Sequence, residues 1–201
     1  MLDEPGPGQT PLTDEQKAGL LLPLSTQAEL NAAEADSIAK ARTWAMVRSR
    51  PLSSAQVLRE EWLKRLHKRM FDSIWKWAGT YRQTDVNIGN VFWPQVPTAM
   101  REALDDATFW VDHREENEMM VVEVAVRVQH KLVAVHPFPN GNGRWSRLVA
   151  DLLMRSQGAR PLSWGGGVNL QAQGDTRSTY LAALYAADNG DFRDLIAFAQ
   201  S

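Results

Sequence analysis

This 201-residue sequence predicts an all-α fold carrying one small β-hairpin. Two observations predict it. Apolar residues recur at helical spacing through most of the chain, as in Leu66, Phe71 and Trp75, or Leu148, Val149, Leu152 and Leu153. A clear turn signal between two β-rich triplets occurs at Asp85–Pro94, where Gly89-Asn90 separates Val86-Asn87-Ile88 from Val91-Phe92-Trp93. The length suits one domain with an ample core, and an apolar fraction of 44% is ordinary for a globular protein.

In chain order, residues 1–14 are rich in Pro, Gly and acidic residues and read as a flexible tail. An N-terminal helical segment, 15–50, follows, with its main helix at about Gln27–Val47. A second helix is expected from about Ser54 to Trp77, stopped by Gly79. A third follows Pro97 and carries Met100, Leu104 and Trp110-Val111. Residues 118–135 admit two readings. Val122, Val124, Val126, Val128 and Leu132 alternate as in a strand, while Glu123, Arg127 and Lys131 form an i,i+4,i+8 polar stripe. The stretch is too long for an ordinary strand, which selects a mostly buried helix. Further helices are expected at about Gly143–Gln157, Thr176–Asn189 and Asp191–Ala199.

Composition narrows the function. A net charge of −2 offers no basic footprint for nucleic acid. The absence of cysteine removes disulfides and thiolate metal sites. No stretch is long and apolar enough for a bilayer span, and the acidic, breaker-rich opening Met1-Leu-Asp-Glu-Pro-Gly-Pro-Gly is unlike a signal peptide. A cytoplasmic location is the default expectation, with a secreted effector using a non-cleaved signal as the alternative. Most of the eight tryptophans are expected in the core.

The chemistry concentrates in His136-Pro-Phe-Pro-Asn-Gly-Asn-Gly-Arg-Trp-Ser-Arg147. Gly141, Asn142 and Gly143 precede a helical stripe and so sit at a helix N-terminus, where outward N–H groups and the helix dipole favour an anion. Glycine lets backbone approach a phosphate closely. Arg144 and Arg147, three apart, are expected on one helix face and within reach of phosphate oxygens. His136 can accept a hydroxyl proton at neutral pH. Phe138 is expected as an inward anchor, and Asn142 as a cap or loop brace. Each feature has a plainer reading: a structural histidine, a turn, an Arg147–Asp151 surface pair. Their coincidence within twelve residues favours a catalytic site for phosphate esters. A Walker loop is excluded because no Gly-Lys-Ser/Thr follows the glycines.

These twelve residues resemble the signature of the Fic (filamentation induced by cAMP) family, H-x-F-x-[D/E]-G-N-G-R-x-x-R, except that Asn140 stands where Asp or Glu is usual. The likeness extends over roughly residues 54–200, through Ile74–Arg82, Tyr180–Tyr185 and Gly190–Leu195, and makes 51–201 the expected core. The chain is similar to the subgroup called mobile mystery protein B, in which Asn also occurs at this position. The resemblance implies a Fic-type helical bundle with a hairpin flap beside the active site, and a protein adenylyltransferase that moves AMP from ATP to a Ser, Thr or Tyr hydroxyl. His136 would then be the base. Gly141, Asn142 and Gly143 would hold phosphates, Arg144 the β-phosphate and Arg147 the γ-phosphate, and Asn140 would help hold Mg²⁺. Val86, Asn87, Ile88, Gly89, Asn90, Val91 and Phe92 would dock the target as an added strand. The resemblance also implies an inhibitory helix with the pattern [S/T]-x-x-x-E-[G/N]. Ser25 and Glu29 fit its first five positions, which predicts a Glu29–Arg147 pair. A regulatory or antitoxin partner is a further expectation, with no nucleic acid and no membrane. The alternatives are transfer of UMP, GMP or phosphocholine, or a nucleotide-binding regulatory module with weak catalysis.

Overall fold

The computed structural model describes residues 13–47, 52–86, 91–166 and 174–201. Among these, the helices are α1 (Asp14–Lys17), α2 (Gln27–Met46), α3 (Ser54–Val57), α4 (Glu60–Phe71), α5 (Val96–Asp112), α6 (Val121–Val135), α7 (Asn142–Ser156), α8 (Asp175–Asp188) and α9 (Arg193–Gln200), with a 3₁₀ turn at Trp93–Gln95. The only backbone bridge among the described residues is an isolated antiparallel one between Leu20 and Trp75. The fold is all-α.

Central to the bundle, α6 lies between two apolar clusters. Val124, Val128, Leu132 and Val135 join the larger cluster, with side chains from α2, α4, α5 and α7. Val122, Ala125 and Val126 join the smaller one, beneath α8 and α9. Burial on two sides explains why the sequence of α6 alternates like a strand. It is apolar nearly all round, as a central helix must be. Its remaining polar stripe carries the Arg127–Glu123 pair, 2.8 Å.

Local sequence sets several helix starts. Thr13, Thr26 and Ser53 cap α1, α2 and α3, each in a capping box with Gln16, Glu29 and Gln56 respectively. The predicted helix 54–77 is instead two helices, and α4 ends at Phe71. Beyond it, backbone pairing replaces helical bonds. Leu21 N–H donates to Ile74 C=O at 2.8 Å, and Lys76 N–H to Gly19 C=O at 2.9 Å. Tertiary pairing with residues 19–21 outweighs the helical propensity of 72–77 here. The tail assigned to residues 1–14 lies outside the described residues through position 12, and Asp14 already belongs to α1.

Asn87, Ile88, Gly89 and Asn90, the tip of the expected hairpin, also lie outside the described residues. The flanks Val86, Val91 and Phe92 are irregular rather than strand. A side chain takes the carbonyls that a ladder would use, since Arg82 donates to both Thr84 C=O and Val91 C=O.

Candidate active site

The loop between α6 and α7 is built from its backbone outward. His136 ends α6 in a left-handed conformation, φ 51° and ψ 58°. That costs a non-glycine residue about 1 kcal/mol or more and persists only where surroundings enforce it. The enforcement is visible. Arg82 Nε–H donates to the His136 carbonyl at 2.7 Å, and Arg82 N–H to the Pro137 carbonyl at 2.9 Å. Phe138 is fully buried, and its N–H and C=O are both bound by the Asn142 side chain at 2.9 and 2.8 Å. At the far end, Gly79 N–H donates to His67 Nδ1, so the ring carries its proton on Nε2 and donates to Asn140 C=O, each at 3.0 Å. His67 stacks on Phe138 with ring centres 3.7 Å apart, and burial lowers its pKa to about 3.

His136 itself is buried, and desolvation lowers its pKa to about 4, with the Arg82 charge adding to the shift. At neutral pH the ring is uncharged. Nδ1 lies 3.3 Å from Val133 C=O, which can only accept, so Nδ1 bears the proton and Nε2 the basic lone pair.

Gly141 has φ 81°, and a Cβ there would lie 2.5 Å from the Phe71 ring. Only glycine fits that turn. The first helical bond of α7 is Trp145 N–H to Gly141 C=O at 3.0 Å. The amides of Asn142, Gly143 and Arg144 precede it and form the anion-favouring end of the helix. A Cβ on Gly143 would meet nothing closer than Arg147 Nη1, 3.6 Å away. No contact among the described residues requires glycine there.

The two arginines diverge. Arg147 faces α8, with its guanidinium 5.4 Å from the Tyr180 ring. Arg144 faces α2, where Nη1 donates to Glu34 Oε2 at 2.6 Å. Glu34 is 4% exposed, and its other oxygen accepts from Trp75 Nε1 at 2.8 Å. Asp151 does not pair with Arg147. It is fully buried, bound to Arg42 at 2.7 Å, and accepts from Leu162 N–H and Trp164 Nε1.

Asn140 Oδ1 accepts from its neighbour Gly141 N–H at 2.5 Å and lies 3.5 Å from Arg144 Nη2. One neutral oxygen already bound by two donors, one of them cationic, does not fit a resident divalent ion. No cluster of three acidic or imidazole ligands occurs among the described residues.

A base and a helix N-terminus that favours an anion thus adjoin, with Arg144 on the first turn of α7, and residues 57–154 match the Fic/DOC family model. Residues 57–154 form a Fic/DOC domain. Over 121 residues it is 36% identical to protein adenylyltransferase fic-1 of Caenorhabditis briggsae and of Caenorhabditis elegans, covering 60% of this chain and 22% of each relative. The chain thus spans about a fifth of the length of those relatives. The fold matches that of C. elegans Fic-1 (residues 134–508) with a TM-score of 0.60 and 23% identity, over 92% of this chain and 51% of that one. The AMPPNP-bound BepC protein of Bartonella tribocorum matches with a TM-score of 0.64 and 15% identity, over 94% and 97%.

Within this Fic domain His136, Asn140, Gly141, Asn142, Gly143 and Arg144 lie on the α6–α7 loop and the first turn of α7, whereas Arg147 turns toward α8 and does not share the face of Arg144 that the spacing predicted. The structure corrects the expected brake. Glu29 is an exposed capping residue whose carboxylate accepts from Ser25 N–H and Thr26 N–H at 2.8 and 3.0 Å. Thr26, not Ser25, is the N-cap. The carboxylate that reaches the Fic motif is Glu34, and it meets Arg144 rather than Arg147. Two signals were present in the sequence: Thr26-x-x-Glu29 is a capping box, and Glu34 lies on the stripe Leu30, Glu34, Ser37, Ala41, Ala45 that α2 buries. The loop braces Arg82 and His67 gave no sequence signal beyond lying in family-like segments.

Proposed function

We propose that the chain is a protein adenylyltransferase that moves AMP from ATP, bound as its Mg²⁺ complex, to a hydroxyl of a target protein, and that α2 restrains it. One observation carries the reading: a neutral, buried His136 held in a strained conformation directly ahead of an anion-binding helix N-terminus. Such a site suits in-line attack on phosphorus, where positioning and electrostatics supply the catalysis. His136 Nε2 takes the proton of the attacking hydroxyl. The hydroxyl oxygen bonds to the α-phosphorus, and the bond to the β-phosphate bridging oxygen breaks, releasing pyrophosphate. The amides at 142–144 and Arg147 hold the phosphates. Arg144 joins them only when its bond to Glu34 opens, so Glu34 competes with the nucleotide. The adenylyltransferase names of the relatives and the nucleotide bound in a matching fold support ATP as donor.

The target is proposed to dock along residues 86–92. Phe92 is 65% and Trp93 42% exposed, and Trp93 lines a cleft of about 440 Å³ together with Tyr81, Pro94 and Pro97. Large apolar side chains so placed mark a surface that a partner covers.

The test is intact mass after incubation with ATP and Mg²⁺, comparing wild type, Glu34→Gln and Glu34→Gln/His136→Ala. An added AMP on the chain or on a captured target, raised by Glu34→Gln and lost with His136→Ala, is expected. An adduct unchanged by His136→Ala would sink the assignment of the base.

A further inference from the structure

We propose that Arg82 is a positioning residue that links the target-docking edge to the catalytic base, by holding both shoulders of the 84–92 segment and the backbone of the His136 loop on one buried guanidinium. Its functional meaning rests on the transferase reading above, while the physical linkage does not.

The Arg82 side chain is fully buried, and the one carboxylate that pairs with it among the described residues, Asp85, is 3.7 Å away and 55% exposed. Burying a cation with so little counter-charge is costly unless its hydrogen bonds are met. Here each of the three nitrogens donates to a backbone carbonyl, and the carbonyls come from two separate places. Nη1–H donates to Thr84 C=O at 3.0 Å and Nη2–H to Val91 C=O, one on each side of the docking segment. Nε–H donates to His136 C=O at 2.7 Å. The planar guanidinium presents three separate nitrogens in a rigid fork, one to each of three carbonyls in two loops. Lysine carries the same charge but as a point. Asp85 completes the link by accepting Trp93 N–H at 2.7 Å, which ties the second shoulder to the first.

The consequence is mechanical. The His136 carbonyl belongs to the residue whose left-handed backbone sets the ring position. A target strand added along 86–92 narrows the positions open to Thr84 and Val91. Through the shared guanidinium, it narrows those open to His136. Docking and base placement are therefore coupled, and the base is best ordered when a target is present.

Imidazole NMR of the whole chain tests this without donor or target. Asp85→Ala removes the carboxylate that accepts Trp93 N–H and lies 3.7 Å from Arg82, and is expected to move the His136 signal across its titration. In an Arg82→Lys background the same change is expected to move it at least about threefold less, the signature of a coupled pair in a double-mutant cycle. Arg82→Lys alone is expected to raise His136 proton affinity by about tenfold, because a loosened loop admits water to the ring. If Arg82→Lys fails to fold, Trp93→Pro serves instead. It deletes the N–H that Asp85 accepts together with the partly exposed indole, keeps Arg82, and is expected to move the His136 signal as well. Equal Asp85→Ala effects in both backgrounds would mean a direct field from the carboxylate and overturn the proposal. So would an unmoved His136 in Trp93→Pro. Because no nucleotide is used, failure here leaves the transfer chemistry standing. A missing AMP adduct leaves the linkage standing.

Discussion

Replacing Glu34 by Gln should tighten ATP binding by about ten- to a hundredfold. The substitution keeps the shape and the oxygen that accepts from Trp75 Nε1, and replaces the charged oxygen that Arg144 faces across 2.6 Å by a neutral NH₂ that cannot accept from it. At that distance, and with an effective dielectric of about 20, the gross attraction is about 6 kcal/mol. Desolvation of two buried groups offsets most of it, and a hydrogen bond between charged groups nets about 1.5–3 kcal/mol. That net is what a nucleotide must overcome to claim Arg144, and it converts to the stated range. Calorimetric titration with ATP and with AMP reads it. The gain should appear with ATP and be nearly absent with AMP, which lacks the β-phosphate expected at Arg144. Equal affinity of wild type and Glu34→Gln for ATP would refute the reasoning. An equal gain for AMP would show that the substitution merely loosens α2. The chain should also lose stability, by about 3 kcal/mol, because Arg144 is left without its counter-charge.

Other outcomes follow from the same geometry. Gly141→Ala should destabilise by at least about 2 kcal/mol in urea unfolding, since its φ of 81° and the Phe71 ring 2.5 Å from the added Cβ are both unfavourable. Gly143→Ala should leave stability equal or up to about 1 kcal/mol higher while weakening ATP binding, because its Cβ meets no protein atom within 3.4 Å but occupies the ligand's approach. Asn140→Asp should lower the Mg²⁺ concentration for half-maximal transfer by about tenfold by adding a charged oxygen, and an unchanged Mg²⁺ requirement would show that residue 140 does not meet the metal. Stability should fall with acid. The pKa values of His136 and His67 are lowered to about 4 and about 3 from 6.5, so the unfolded chain binds more protons below 6.5. Their contribution is complete above pH 6.5 and is lost as pH falls toward the folded values, with a linkage slope near two protons between about pH 5.5 and 4.5. His136→Ala should halve that slope.

Local order was legible in the chain because its determinants are local. Capping boxes, helical stripes and the motif glycines act within one or two turns. They place α2, α6 and α7 to within a few residues and put His136 and the cradle on one loop. The Fic/DOC assignment follows from the same twelve residues. What the chain alone did not decide depends on contacts between distant segments. Glu29 and Glu34 are both glutamates near the start of one helix, and only the packing of α2 on α7 selects Glu34 as the partner of Arg144, 110 positions away. The end of α4 at Phe71 is set by pairing with residues 19–21. Arg82 and His67 become braces of the active loop only once folding buries them against carbonyls 54 and 73 positions away. Burial also decides the protonation of the base, because desolvation belongs to the folded environment and not to the residue.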